Sequence, residues 1–439
     1  MNSNYISYIL LFSICGQVVY CQDVYKAAIV DTNRKLNYNI EHYASLIREA
    51  ASLKADILLL QTKDDECVSN GCVNYDEKLK TISNAAKEAG IYVAAHVFEK
   101  ISCDKAEDVV RSNVIFNRKG DIIFVYRKPL AQANCNDTYS KPAPFSTDFG
   151  VTFGVLMEED IILPNAKDRS SNNYLVLGPW PHKLEGLHAL KFESSWSFIT
   201  KSNVISANGI YGNTKATKTS GNVIMGEVNK NGNDNPHLLN SPSVFPENWS
   251  QYSIRPLDLK LAVEGLKEVI CFGEFCCQFY IKTQGISDFP YSVVANTDAI
   301  NIGNQILSTQ SCALVSCAGS SKPCSSLSGT DVVFKRVSIS GNFSVGATQF
   351  PILQTSSEKN IKFEQKSVFG NRQVNMEVND SDLSNFGIFS IASNAPIHSN
   401  DNFVDSTVMN ENVQEFFDYV WIRLRFVIFI VSIYILEMM

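Results

Sequence analysis

Four consecutive large aliphatic residues, Ile57, Leu58, Leu59 and Leu60, follow a stretch whose apolar positions recur at helical spacing. So short an uninterrupted run fits a strand covered on both faces, because successive strand side chains point to opposite sides of a sheet. Such a strand needs a packing layer on each side, and its neighbours supply candidates. Residues 25–31 read as a strand, and 40–54 as a helix with Ile40, Tyr43, Ala44, Ile47 and Leu53 on its apolar face. A second helix spans 76–89 and stops at Gly90, and the next strand is 91–97. Residues 114–116 and 122–126 flank the turn Arg118-Lys119-Gly120-Asp121. Further strands fall at 153–157, 174–177 and 203–207, with a helix over 187–200 before the last. The order predicts an α/β sheet with helices packed on it.

A chain of 439 residues exceeds a single core, so a second domain is expected. The polar run Asn229-Lys230-Asn231-Gly232-Asn233-Asp234-Asn235-Pro236 reads as a linker. Beyond it, short alternating segments such as 332–339 and 386–391 predict a smaller β-rich module. At the other end, 8–19 form an apolar run too short to span a bilayer, and Val19 and Cys21 suit a leader cleavage site. The expected division is a leader over 1–21, an α/β domain over 22–230, a β-rich domain over 231–400 and a tail over 401–439.

Twelve cysteines include Cys15 and Cys21 of the leader, and the ten that follow point to disulfides in an oxidising compartment. Six of them lie after the linker, which makes the second domain the more disulfide-dependent. Sequons at Asn136, Asn248, Asn342 and Asn379 predict glycosylation there. The net charge of -7 and the lack of a basic stripe exclude a nucleic-acid partner. The tail carries an eleven-residue apolar run over 426–436, interrupted only by Ser432 and preceded by Arg423 and Arg425. With small residues at Asp405-Ser406-Thr407 and a polar spacer over 409–418, it fits a lipid-anchor signal, with a membrane segment as the alternative. A cell-surface location and a membrane partner through the tail are expected.

Several strings resemble the vanin/biotinidase family of carbon–nitrogen hydrolases, in the nitrilase superfamily. They are Phe192-Glu193-Ser194-Ser195-Trp196 followed by 203–208, then Cys271-Phe272-Gly273-Glu274-Phe275-Cys276-Cys277. Cys312, Cys317 and Cys324 at their spacing, and Val337-Ser338-Ile339-Ser340-Gly341-Asn342-Phe343, continue the likeness in the same order. The resemblance implies a nitrilase-like α-β-β-α sandwich followed by a β-rich, disulfide-containing vanin C-terminal domain. It also implies hydrolysis of a linear amide by a Cys nucleophile, a Glu acid–base and a Lys that stabilises the oxyanion, with no cofactor or metal.

Position by position, that triad is incomplete. Lys128, in Val125-Tyr126-Arg127-Lys128, stands where the family has its Lys. Thr62, just after the aliphatic run, occupies the Glu position, and Glu158 occupies the Cys position with Asp160 retained behind it. Asp64, Asp65 or Glu66 is the alternative base if the strand end is shifted. Cys135, in Asn134-Cys135-Asn136, reads as a disulfide cysteine, with Cys103 a candidate partner, rather than a relocated nucleophile. A Lys128–Glu158 ion pair is the expected consequence of the replacements. The sequence therefore predicts a non-catalytic binding or scaffold protein holding a small ligand in the former cleft; the alternative is an amidohydrolase with a rebuilt centre. Titration of the denatured, unreduced mature protein should find no free thiol; one thiol per chain would break the even pairing.

Overall fold

The computed structural model describes residues 23–31, 40–61, 75–103, 106–129, 142–162, 171–178, 192–232, 238, 251–287, 289–302, 305–316, 332–355, 359–368 and 371–393. In chain order the first elements are β1 (Val24–Val30), α1 (Ile40–Ser52), β2 (Ile57–Gln61), α2 (Tyr75–Ala89), β3 (Tyr92–Cys103), β4 (Ala106–Phe116) and β5 (Ile122–Pro129). A second set follows: β6 (Pro144–Ser146), β7 (Thr152–Leu156), α3 (Glu158–Ile162), β8 (Asn173–Val176), α4 (Phe192–Thr200), β9 (Asn203–Ser206) and β10 (Gly209–Tyr211). Strands β11 (Thr214–Ser220) and β12 (Val223–Asn229) then return to the first sheet. That sheet is ordered β11-β12-β1-β2-β3-β4-β5, and the other β10-β9-β8-β7-β6.

The aliphatic run explains the layering. Ile57 and Leu59 join one apolar cluster with Phe153, Val155, Leu175 and Ile205 of the second sheet. Leu58 and Leu60 point the other way, into a cluster with Tyr43, Leu46 and Ile47 of α1 and Ile82, Ala85 and Ala86 of α2. The second sheet is covered in turn, as Tyr174, Val176 and Val204 pack on Phe192 and Trp196 of α4. The result is the α-β-β-α sandwich expected from the sequence. A polar tie crosses between the sheets: the Tyr25 hydroxyl donates to Asn173 Oδ1 at 3.0 Å, and Asn203 donates to the same oxygen at 2.8 Å. Gly90, which ends α2, sits at φ 66, where any side chain is strained.

The strand over 91–97 extends to Cys103 and forms a long hairpin with β4. The β11–β12 hairpin was not expected, since Thr-Lys-Ala-Thr-Lys-Thr-Ser of β11 shows no apolar alternation. β12 nonetheless pairs with β1 along its whole length.

Apart from a short 3-10 helix (Leu261–Val263), the described C-terminal elements are strands: β13 (Ser253–Pro256), β14 (Leu266–Phe272), β15 (Phe275–Thr283), β16 (Ser292–Ile302), β17 (Gln305–Val315), β18 (Val333–Ser344), β19 (Thr348–Thr355), β20 (Ile361–Val368) and β21 (Asn371–Ser393). The 23-residue β21 serves two groups of strands. Its first half pairs with β18 and β20, and its second half with β17 and β19. Asp380, at φ 48, lies between the halves. The groups enclose a core that includes Phe279, Leu314, Ile339, Met376 and Phe386.

Cys277 of β15 and Cys312 of β17 are joined through that core, and Cys271 and Cys276 are joined across the β14–β15 pair. These bonds bear out disulfides in the β-rich region. The other mature cysteines, including the Cys103–Cys135 candidate pair, fall outside the described side chains. Asn342 and Asn379 are exposed, whereas Asn136, Asn248 and the tail lie outside the described residues. Among the described residues no helix is long and apolar enough to cross a membrane.

The Cys277–Cys312 bond closes 35 residues and Cys271–Cys276 only 5. Chain-entropy reasoning makes loss of the first costlier by roughly 1.7 kcal/mol. Urea melts of the C277A/C312A and C271A/C276A variants should therefore show the larger fall in midpoint for C277A/C312A; the reverse order would contradict it.

Candidate functional site

Strand alternation places the site's polar groups on the face that looks toward the second sheet. Arg111 is paired with Lys128 across β4 and β5, and Asn113 is paired with Tyr126 and, on the other side, with His96 of β3. Two adjacent polar rows thus cross a face that is otherwise apolar. The intervening residues point to the helix side, where Ser112 and Arg127 both hydrogen-bond Glu99. There burial pushes the Glu99 carboxyl up, but bonds from Arg127, Ser112 and Tyr75 overcome it and leave it below its ordinary value.

Opposite the rows, β7 ends and α3 begins with three acids in succession. Asp160 folds back to accept from the Met157 amide at 2.8 Å, closing the first turn, and also accepts from the Tyr126 hydroxyl at 3.0 Å. Lys128 forms an ion pair with Asp160 and a second with Glu159 at 3.4 Å. Arg111 grips Glu159 through both terminal nitrogens, Nη1 at 3.1 Å. Arg111 is 4% exposed and Glu159 9%, so this bidentate pair is out of water. Burial pushes the Glu159 carboxyl up, yet the charges of Lys128 and Arg111 and the Arg111 hydrogen bonds hold it below its ordinary value.

Glu158 faces elsewhere. Asn208 Nδ2 lies 3.3 Å from Glu158 Oε1 and 2.7 Å from Glu193 Oε1. Adjacent helical positions differ by about 100°, so of three consecutive acids only some can meet Lys128. The expected Lys128–Glu158 ion pair is thus corrected: Glu159 and Asp160 take the lysine. Thr62 and the alternative bases Asp64, Asp65 and Glu66 lie outside the described residues. Sequence reasoning missed Arg111 and Glu159, although a charged residue within the buried stretch 110–116 of β4 was a usable signal.

Behind the cluster, His96 is fully buried, with Nδ1 2.7 Å from Asn113 Oδ1. Burial pulls its pKa down to about 4, so the ring is neutral. Asn113 donates to the carbonyls of Leu156 and Leu177, fixing the ends of β7 and β8. Gly178 is required beside it, since its φ is 88 and a Cβ would lie 2.6 Å from His96 Cε1.

With this geometry in place, the relatives can be compared. A family model for the vanin C-terminal domain matches residues 245–395. Vanin-like protein 1 of Drosophila melanogaster is 25% identical over 326 residues, covering 58% of this chain and 57% of that protein. Residues 245–395 thus carry a vanin C-terminal domain. Human pantetheinase is another relative, 23% identical over 241 residues, 47% of this chain and 44% of that protein. Each match thus spans only about half the length of these vanin relatives. Among solved structures, an amidase from Nesterenkonia sp. aligns over 49% of this chain and 94% of its own, at 13% identity and a TM-score of 0.34.

Removing Arg111 takes away the bidentate partner of buried Glu159 and leaves it only the Lys128 ion pair, so Arg111→Met should destabilise the fold by roughly 3 kcal/mol. A carboxyl held low contributes stability above its ordinary value, near pH 4.5, and loses it as the pH falls through its folded pKa. Glu159→Gln should therefore show a flatter fall in thermal midpoint below pH 4.5 than wild type; an unchanged slope would contradict the assignment.

Proposed function

We propose that this vanin-family chain is a non-catalytic, extracellular binding or scaffold protein that retains the hydrolase fold. The observation that carries the reading is the pairing of Lys128 with Glu159 and Asp160. An oxyanion-stabilising lysine must present uncompensated positive charge to the carbonyl under attack. Here Asp160 already neutralises it, with Glu159, shared with Arg111, beside it. Support also comes from Glu158 at the nucleophile position, because a carboxylate is a weak attacker of an unactivated amide and its acyl product is a labile anhydride. Thr62 at the base position offers a hydroxyl that does not act as a general base near neutral pH.

A leader ending near Cys21, the exposed sequons Asn342 and Asn379, and the apolar tail support a cell-surface, lipid-anchored protein. On this reading a small ligand occupies the former cleft. With Glu158 and Glu193 sharing Asn208, that ligand is neutral or cationic and offers hydrogen-bond donors.

The runner-up is an amidohydrolase of the type named in the pantetheinase relatives, with a rebuilt centre. Purified protein incubated with pantetheine should release no amine above the buffer blank. Turnover that Lys128→Ala abolishes would establish the hydrolase and overturn the binding-protein reading.

A further inference from the structure

A cavity of about 700 Å³ lies where α4 and the start of β8 meet β19, β20 and β21. Its size falls in the range of small-molecule sites, and Lys128, Glu158, Glu159 and Asp160 have no part in it. Apolar walls come from Ile161 and Phe198 on one side and Ile361 and Phe363 on the other. The Phe198 and Phe363 rings meet at a centroid distance of 6.4 Å, so the two domains build the wall together.

Lys201 and Arg372 are the only charged side chains among the described lining residues, and both are cations. Neither has a carboxylate partner among the described residues, in a chain whose net charge is -7. Arg372 Nη1 donates only a long bond, 3.3 Å, to Gln365 Oε1. Lys201 stands at φ 55, just past the end of α4, where glycine or asparagine is the unstrained choice. A lysine there carries strain for no packing gain, since its side chain is exposed.

We propose that this cavity binds a small amphipathic carboxylate, its hydrocarbon body against Phe198 and Phe363 and its head group on Lys201 and Arg372. Apolar walls reward the body by burial, and two unneutralised cations select the charge of the head. The site is independent of the reading of position 158.

Calorimetric titration of the full mature protein with decanoate, 1-decanol and decylamine tests it. Decanoate should bind with a stoichiometry of one, at least tenfold more tightly than decanol, and decylamine should give no saturable signal. The K201E/R372E variant, altered at exposed Lys201 and half-buried Arg372, should lose at least tenfold in decanoate affinity while keeping its thermal midpoint. Phe363→Ala should weaken decanoate and decanol together. No saturable decanoate binding, equal affinity for acid and alcohol, or unchanged affinity in the charge-reversed variant would each overturn the proposal.

Discussion

The contact between the seven-stranded and five-stranded sheets buries one face of each and leaves the other face of each to be covered. Ile57 and Leu59 look into that contact and Leu58 and Leu60 look away from it, so α1 and α2 have a surface they must cover. The same requirement on the second sheet recruits α4, whose other side then meets Phe350 and Phe389 of the C-terminal domain. Ser195 reinforces this junction by donating to the Pro351 carbonyl at 2.6 Å. The two domains are therefore coupled through a helix that exists to finish the first domain's core. A cavity at that seam follows from joining a helix to a twisted sheet, whose surfaces do not match everywhere.

Within the sandwich, several buried polar residues satisfy one another. His96, Asn113, Arg111 and Glu159 are all buried, and each reaches a partner on the facing sheet or the neighbouring strand. Buried ion pairs add little net stability, but a missing partner is expensive. This asymmetry locks the arrangement: Arg111 and Glu159 persist together or are lost together. It also fixes where α3 begins, since Asp160 must cap Met157 while holding Lys128.

The first sheet's central strands and their helices were legible because burial on both faces leaves an uninterrupted aliphatic run, and helix burial leaves a 3.6-residue period. The β11–β12 hairpin was not, because an edge strand such as Thr214–Ser220 needs no apolar face and its pairing is set by β1. The double use of β21 was also hidden, since alternation reports that a strand is buried and not which strands flank it. In the site, Lys128 was read from its setting, but its partner was misassigned. Three consecutive acids at a strand–helix boundary look alike in sequence, and only the rotation of α3 decides that Glu158 turns toward Asn208 and Glu159 toward Arg111.

The charge arrangement bears on the proposed loss of hydrolase chemistry. Arg111 and Glu159 balance each other, and Lys128 and Asp160 do the same, so these four side chains add no net charge to the space between the sheets. Glu158 and Glu193 then stand on the Asn208 side as two further carboxylates. Amide hydrolysis needs the opposite field, because the carbonyl oxygen becomes negative as the nucleophile attacks. Placing a thiol at 158 removes one of those carboxylates but leaves Lys128 held by Asp160 and Glu159. On the proposed reading the departure lies in the field as well as in the missing nucleophile, and a field anchored by the buried Arg111–Glu159 pair does not revert one residue at a time.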